Sequence, residues 1–165
     1  MATAPVLRAY KAGDAPVLDR LAVAAFSQYS GLFSDWPAMA QALACHAALA
    51  TKAEIIVAEH DGEIAGSVGY CGPGQPKAAY FDEAWPIIRM LVVDPAARGL
   101  GLGRLLSQAC LDAARRDGAP LIALHTSPIM TVALPMYVRM GFAWLKDVQP
   151  IHGVPYAVYT KRLDS

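Results

Sequence analysis

The residues of this chain that could do chemistry gather around one short run, Arg98-Gly99-Leu100-Gly101-Leu102-Gly103-Arg104. Glycines lack a Cβ and let the backbone approach a ligand closely. A helix start presents unpaired N–H groups at the positive end of its dipole. A glycine-rich turn feeding a helix therefore suits a pyrophosphate, and Arg98 and Arg104 flank it for charge-assisted bonds. A tight turn with packing glycines is the plain alternative. Elsewhere the candidates are scattered. His125 closes an apolar run and has the ordinary pKa for proton transfer, although a lone histidine there also suits a structural role. Asp82 and Glu83 lie in a proline-containing loop, and Tyr137 falls on an apolar helical stretch where a core aromatic is the simple reading. His46, His60 and His152 share no ligand-like spacing, so no metal site is expected.

The spacing narrows the class of turn. A Rossmann fingerprint counted from Gly99 would need its third glycine where Arg104 stands, and no G-x-x-x-x-G-K-[ST] pattern occurs. Ala65-Gly66-Ser67-Val68-Gly69 comes near the G-x-S-x-G nucleophile elbow. Its first glycine is missing, however, and a hairpin strand is the wrong context for a strand-to-helix turn. What fits is R-x-x-G-x-G, at Arg98, Gly101 and Gly103.

Such a turn needs a strand before it and a helix after it. Ile88-Arg89-Met90-Leu91-Val92-Val93 reads as a buried strand, and Asp94-Pro95 breaks it because proline cannot donate to a sheet ladder. Leu102, Leu105, Leu106, Ala109, Cys110 and Ala113 follow helical spacing, and Gly118 is placed for a left-handed cap. Earlier, residues 6–10 read as a strand, and Asp14 as the N-cap of a helix ending near 29–31. Ser34 or Asp35 would cap a second helix. Tyr29, Phe33 and Trp36 between the helices read as local core rather than a ligand wall. Strands over 54–59 and 64–70 flank His60-Asp61-Gly62-Glu63, a strong hairpin signal. A long loop, 72–86, precedes the central strand, and loops of that length are usually functional or mobile. Beyond the turn come a strand over 121–126, a helix over 130–140 with Pro135 kinking it or marking its first turn, and strands over 142–146 and 156–161.

With 165 residues, 55% of them hydrophobic and 17% charged, one domain over 1–165 with a substantial core is expected. Zero formal net charge and no run of like charges speak against nucleic acid or a membrane surface as the main partner. Cys45, Cys71 and Cys110 match no metal or redox spacing and read as reduced thiols of a cytoplasmic protein. Neither a signal-peptide pattern nor an apolar stretch of about 18 residues is visible.

The R-x-x-G-x-G turn, with Leu91-Val92-Val93-Asp94-Pro95 before it, closely resembles the acetyl-CoA-binding motif of the GNAT superfamily of N-acetyltransferases. A second segment, Met136-Tyr137-Val138-Arg139-Met140-Gly141-Phe142, resembles that family's L-Y-x-x-x-G-F, with Ala133 at its usual alanine. Two motifs in the right order are far more specific than either alone. The element order β-α-α-β-β-β-α-β-α-β-β also resembles the family's. It implies an α/β (α+β) GNAT fold, a mixed, mostly antiparallel central sheet of about seven strands flanked by about four helices. The chain departs from the pattern at Met130, where many members have a coenzyme-contacting asparagine, and at Ile87 and Ile88, where some place a glutamate base.

The resemblance implies acetyl transfer from the coenzyme A thioester to a primary amine of a small molecule or peptide, by direct attack in a ternary complex without an acetyl-cysteine. The backbone of Leu91, Val92 and Val93 would hold the pantetheine arm and aim an N–H at the thioester oxygen. Arg98, Gly99, Leu100, Gly101, Gly103 and Arg104 would hold the pyrophosphate, with Ala133 also on the coenzyme. Tyr137 would protonate the leaving sulfur, since a phenol of pKa about 10 is protonated at pH 7. The base stays open among Asp82, Glu83, His125 and water, and a homodimer stays open too. Two rival classes are a catalytically inactive GNAT-like acyl-CoA sensor and a nucleotide-binding domain of another fold.

Overall fold

The computed structural model describes residues 4–163. In chain order the elements are β1 (Val6–Ala9), α1 (Ala15–Phe26), α2 (Trp36–Leu43), β2 (Glu54–His60), β3 (Glu63–Cys71), β4 (Ile87–Val93), α3 (Leu102–Arg116), β5 (Leu121–Thr126), α4 (Ala133–Arg139), β6 (Ala143–Ile151) and β7 (Val154–Arg162). The strands form one seven-stranded sheet, β1-β2-β3-β4-β5-β7-β6, in which only β4 and β5 run parallel. Fold class and element order are those expected. The rival nucleotide-binding fold falls, because its sheet is mostly parallel.

Local chemistry explains the punctuation. Asp61 and Gly62 both take positive φ, 53° and 80°, the requirement of the two-residue turn that matches strand twist. Asp35 caps α2 by accepting from the Ala38 N–H at 3.0 Å. After α3, Gly118 is left-handed and the Ala119 N–H returns to the Ala114 carbonyl at 3.0 Å, closing a Schellman cap. Asp14 precedes α1, yet its side chain does not cap that helix. It accepts instead from the Arg8 guanidinium at 2.8 and 3.0 Å and from the Lys11 N–H at 2.8 Å.

Some boundaries move. α1 stops at Phe26 and tightens into a 3₁₀ segment over 27–32. α4 begins at Ala133, so that Pro135 sits in its first turn, where a missing N–H costs nothing. β6 runs on to Ile151 through Pro150, tolerable on an edge strand.

Each face of the sheet has its own core. Leu102, Leu106, Cys110 and Ala113 of α3 pack on Val68, Ile88 and Ile122, whereas Leu105 is 41% exposed and not part of that stripe. On the opposite face, Leu18, Leu21, Ala22 and Ala25 of α1 cover Ile55, Val57 and Val92. Phe33 is buried with Met130, Val154 and Tyr156, and Tyr29 and Trp36 pack against that cluster. The aromatic segment is thus local core, as expected.

Candidate active site

β4 and β5 share one register pair, Ile87 with Ala123, beside a 3.0 Å hydrogen bond from the Ala123 N–H to the Pro86 carbonyl. Past that pair the two strands no longer pair, and the sheet opens into a fork towards their C-terminal ends. On its other edge β4 carries a bulge. The β3 register shifts by one between Ser67 and Gly69, leaving Met90 and Leu91 together opposite Val68. Met90 takes φ 52°, strain of about 1 kcal/mol or more for a residue with a Cβ. The bulge also flips the strand's phase. Ile88 faces α3, and so do Leu91 and Val93, while Met90 and Val92 face α1.

Beyond β4, Asp94 fixes the way out. Its N–H donates to the Ala65 carbonyl at 2.8 Å, and its carboxylate accepts from the Ala96 N–H at 2.9 Å. Gly99 and Gly101 then take φ 86° and 75°, and Gly101 is the N-cap of α3 with no side chain capping it. A Cβ on either glycine would meet no protein atom within 4 Å, so their backbone faces open space. Gly103 serves packing instead: a Cβ there would lie 3.3 Å from Met136 Sδ of α4. Leu100, Arg98 and Arg104 are exposed, and neither arginine has an acidic partner among the described residues. Uncapped amides, outward glycines and two free guanidinium groups fit a dianion such as a pyrophosphate.

Tyr137 lies on the α3 face, 4% exposed, its ring edge-on to Phe142 with centroids 5.5 Å apart. Burial pushes its pKa above the ordinary value, partly offset by the neighbouring Ser107 hydroxyl, so the phenol keeps its proton at neutral pH. Ser107 Oγ is buried and makes no hydrogen bond of good geometry. Ala133 opens α4, packed against the same cluster.

On the other face a cavity of about 300 Å³ opens beside the fork. Ile87 and Arg89 of β4, His125 of β5, Tyr80 and Phe81 of the 72–86 loop, and Lys52 and Lys77 line it. The loop is held in place: Gly74 N–H donates to the Glu83 carbonyl at 2.7 Å, and Lys77 Nζ donates to the carbonyls of Gly72 and Gln75 at 2.7 and 2.9 Å. His125 sits among Tyr80, Phe81 and Tyr156, with centroids 5.2 to 6.0 Å away. Burial, reinforced by the Arg89 charge, pulls its pKa down to about 4.

Among the base candidates only His125 lines this cavity. Asp82 and Glu83 are exposed on the loop, Asp82 accepting from the Ala84 N–H at 2.9 Å. Sequence reasoning passed over Arg89, whose signal was available as the one charge inside an apolar strand. Ser67 is fully buried, 3.5 Å from His46 Nε2, as a polar pair inside the core rather than an exposed elbow. All three cysteines are free thiols, and burial raises the Cys110 pKa. No helix among the described residues is long and apolar enough to cross a membrane.

A mixed, mostly antiparallel sheet opening onto a glycine-rich helix start is the architecture that the motif resemblance implies. Comparison with known proteins agrees: the profile of the acetyltransferase (GNAT) family matches residues 18–142, and the chain belongs to that family, the GNAT superfamily of N-acetyltransferases. A mycothiol acetyltransferase of Cellulomonas flavigena is 36% identical over 115 residues, covering 62% of this chain and 33% of that protein. The chain thus spans about a third of the length of the curated relative it matches. Among solved structures, a GCN5-related N-acetyltransferase from Rhodopseudomonas palustris superposes with TM-score 0.77 at 23% identity, covering 99% of this chain and 98% of that one. The yncA protein from Salmonella typhimurium, solved with its cofactor acetyl-CoA, gives TM-score 0.70 at 18% identity over 99% and 96%.

Proposed function

We propose that this chain is an acetyl-CoA-dependent N-acetyltransferase that passes the acetyl group directly to a primary amine in a ternary complex. The observation that carries the reading is continuity: the fork, the β4 bulge and the uncapped start of α3 follow one another along a single stretch of backbone. Acetyl-CoA enters with its pyrophosphate on the backbone of Gly99, Leu100, Gly101 and Gly103 and on the side chains of Arg98 and Arg104. Its pantetheine lies along the backbone of Leu91, Val92 and Val93, next to Ala133. A ladder-free N–H of the bulge is then available to the thioester oxygen as negative charge develops there.

The acceptor amine approaches from the Arg89 side. Neighbouring cations disfavour an ammonium, so the cavity's Arg89, Lys52 and Lys77 favour the unprotonated amine that must attack. His125, held near pKa 4, is a weak proton acceptor at neutral pH, and water takes the amine proton. A nitrogen–carbon bond forms, the carbon–sulfur bond breaks, and the leaving sulfur takes a proton from Tyr137, which recovers one from water.

Thiol release from acetyl-CoA across a panel of primary amines tests this reading, with calorimetry of acetyl-CoA binding alongside. A protein that binds acetyl-CoA and acetylates no amine would instead be a coenzyme sensor.

A further inference from the structure

The cavity beside the fork carries an excess of positive charge. Lys52, Lys77 and Arg89 line it, and no carboxylate does. Lys77 is engaged with loop carbonyls, and Lys52 is exposed at its edge. Arg89 is half-buried, and no described acidic side chain lies within ion-pair distance of it. Its charge nevertheless reaches inward: it adds to burial in lowering the His125 pKa, and it partly offsets the rise that burial gives the Tyr80 phenol. A guanidinium withdrawn from water without a counter-charge is costly, and a ligand that brings the counter-charge recovers that cost on binding.

The walls say what else the ligand carries. Tyr80, Phe81 and His125 meet edge to face and present an uncharged aromatic surface next to Ile87. At about 300 Å³ the cavity stands at the small end of small-molecule sites. The planar fork of an arginine matches a carboxylate through two parallel hydrogen bonds. Arg89 immediately precedes the bulge, so an anion held there keeps the rest of a small ligand beside the fork.

We propose that the acceptor is a small primary amine of the free amino-acid class, its carboxylate on Arg89 and its amine at the β4–β5 fork. This rests on the acetyltransferase reading above and narrows its substrate.

The test uses matched pairs of acceptors, each amino acid against its own carboxamide, with thiol release compared per unprotonated amine. The carboxylate member should show kcat/KM higher by about tenfold or more, the usual weight of hydrogen bonds to a charged group. Arg89→Gln should bring that ratio down towards unity, and Arg89→Lys, which keeps the charge but loses the fork, should fall between. The wild-type ratio decides the matter even if a variant fails to fold. Carboxamides used as fast as the acids, or a preference that survives in folded Arg89→Gln, would overturn the proposal while leaving acetyl transfer standing. An aminoalkyl phosphate outrunning every amino acid would also overturn it, since the recognised anion would then be a phosphate. Absence of thiol release with all acceptors points to failure of the acetyltransferase reading itself.

Discussion

Ile87 and Ala123 form the one cross-strand pair between β4 and β5, and both are buried, at 1% and 0% exposure. They pack with Cys71, Phe81 and Val158, so the base of the fork is closed by hydrocarbon on the side of the cavity. The consequences for binding and catalysis can be measured.

Acetyl-CoA should bind in the micromolar range, about 7–8 kcal/mol. Gly101→Asp should abolish that binding, since it places a carboxylate in the open space that the pyrophosphate needs. Gly101→Ala separates charge from strain: both variants carry a side chain at φ 75° and should lose about 1 kcal/mol of stability. A folded Gly101→Asp protein with unchanged calorimetric affinity would remove this turn from the coenzyme site.

Tyr137→Phe keeps the ring against Phe142 and gives up only the loose approach of the phenol to Ser107, so stability should change by about 1 kcal/mol or less. If the phenol protonates the departing sulfur, kcat should fall about 10²-fold or more with little change in coenzyme affinity. A core tyrosine without a catalytic part would give near-normal kcat. Thermal melts and steady-state kinetics on this one variant decide, provided chemistry is rate-limiting.

Transfer should leave no acetyl-cysteine. Cys71 and Cys110 are fully buried, and burial keeps the Cys110 thiol protonated and unreactive. Intact mass after mixing with acetyl-CoA alone should show no covalent gain, and Cys71→Ala and Cys110→Ala should turn over. A 42-dalton-type acetyl adduct, or a folded coenzyme-binding variant without turnover, would show otherwise.

Acid should cost stability through His125. Its folded pKa is about 4, below the ordinary value of 6.5, so between those values the unfolded chain binds the extra proton. Stability is therefore present above pH 6.5 and drains away as pH falls towards 4, by roughly 3 kcal/mol at most. His46 shifts in the same direction, also through burial, and will add to the slope. His125→Gln should flatten the fall in Tm between pH 6.5 and 4. An unchanged slope would mean that His125 titrates normally in the folded protein.

Much of this was legible in the sequence because punctuation and periodicity speak locally. Asp61-Gly62, Asp94-Pro95, the 99–103 glycines and Gly118 mark turns through backbone chemistry alone, and the α3 stripe repeats at helical spacing. Non-local geometry was not legible. β6 was expected to be short because its side chains are mostly exposed and show no inside-outside alternation. Leu105 matched the helical spacing but stands at the solvent margin of the stripe. The bulge had no glycine to announce it, since Met90 itself takes the left-handed turn. Without the bulge and the fork, nothing local in the strand sequence sets Arg89 beside an aromatic wall with no acidic partner among the described residues.

The strand order makes the sheet two antiparallel halves, β1-β2-β3-β4 and β5-β7-β6, riveted at a single point. Amides within either half are tied to neighbours along their length, whereas those facing the fork have no strand across from them. Hydrogen exchange should therefore be slow inside each half and fast along the seam, with the halves free to breathe about the Ile87–Ala123 rivet. A co-substrate lying in that gap becomes mortar between them: at one hundred times its Kd it adds about 2.7 kcal/mol to the folded state. The resistance of this protein to heat would then track the acyl-coenzyme supply around it.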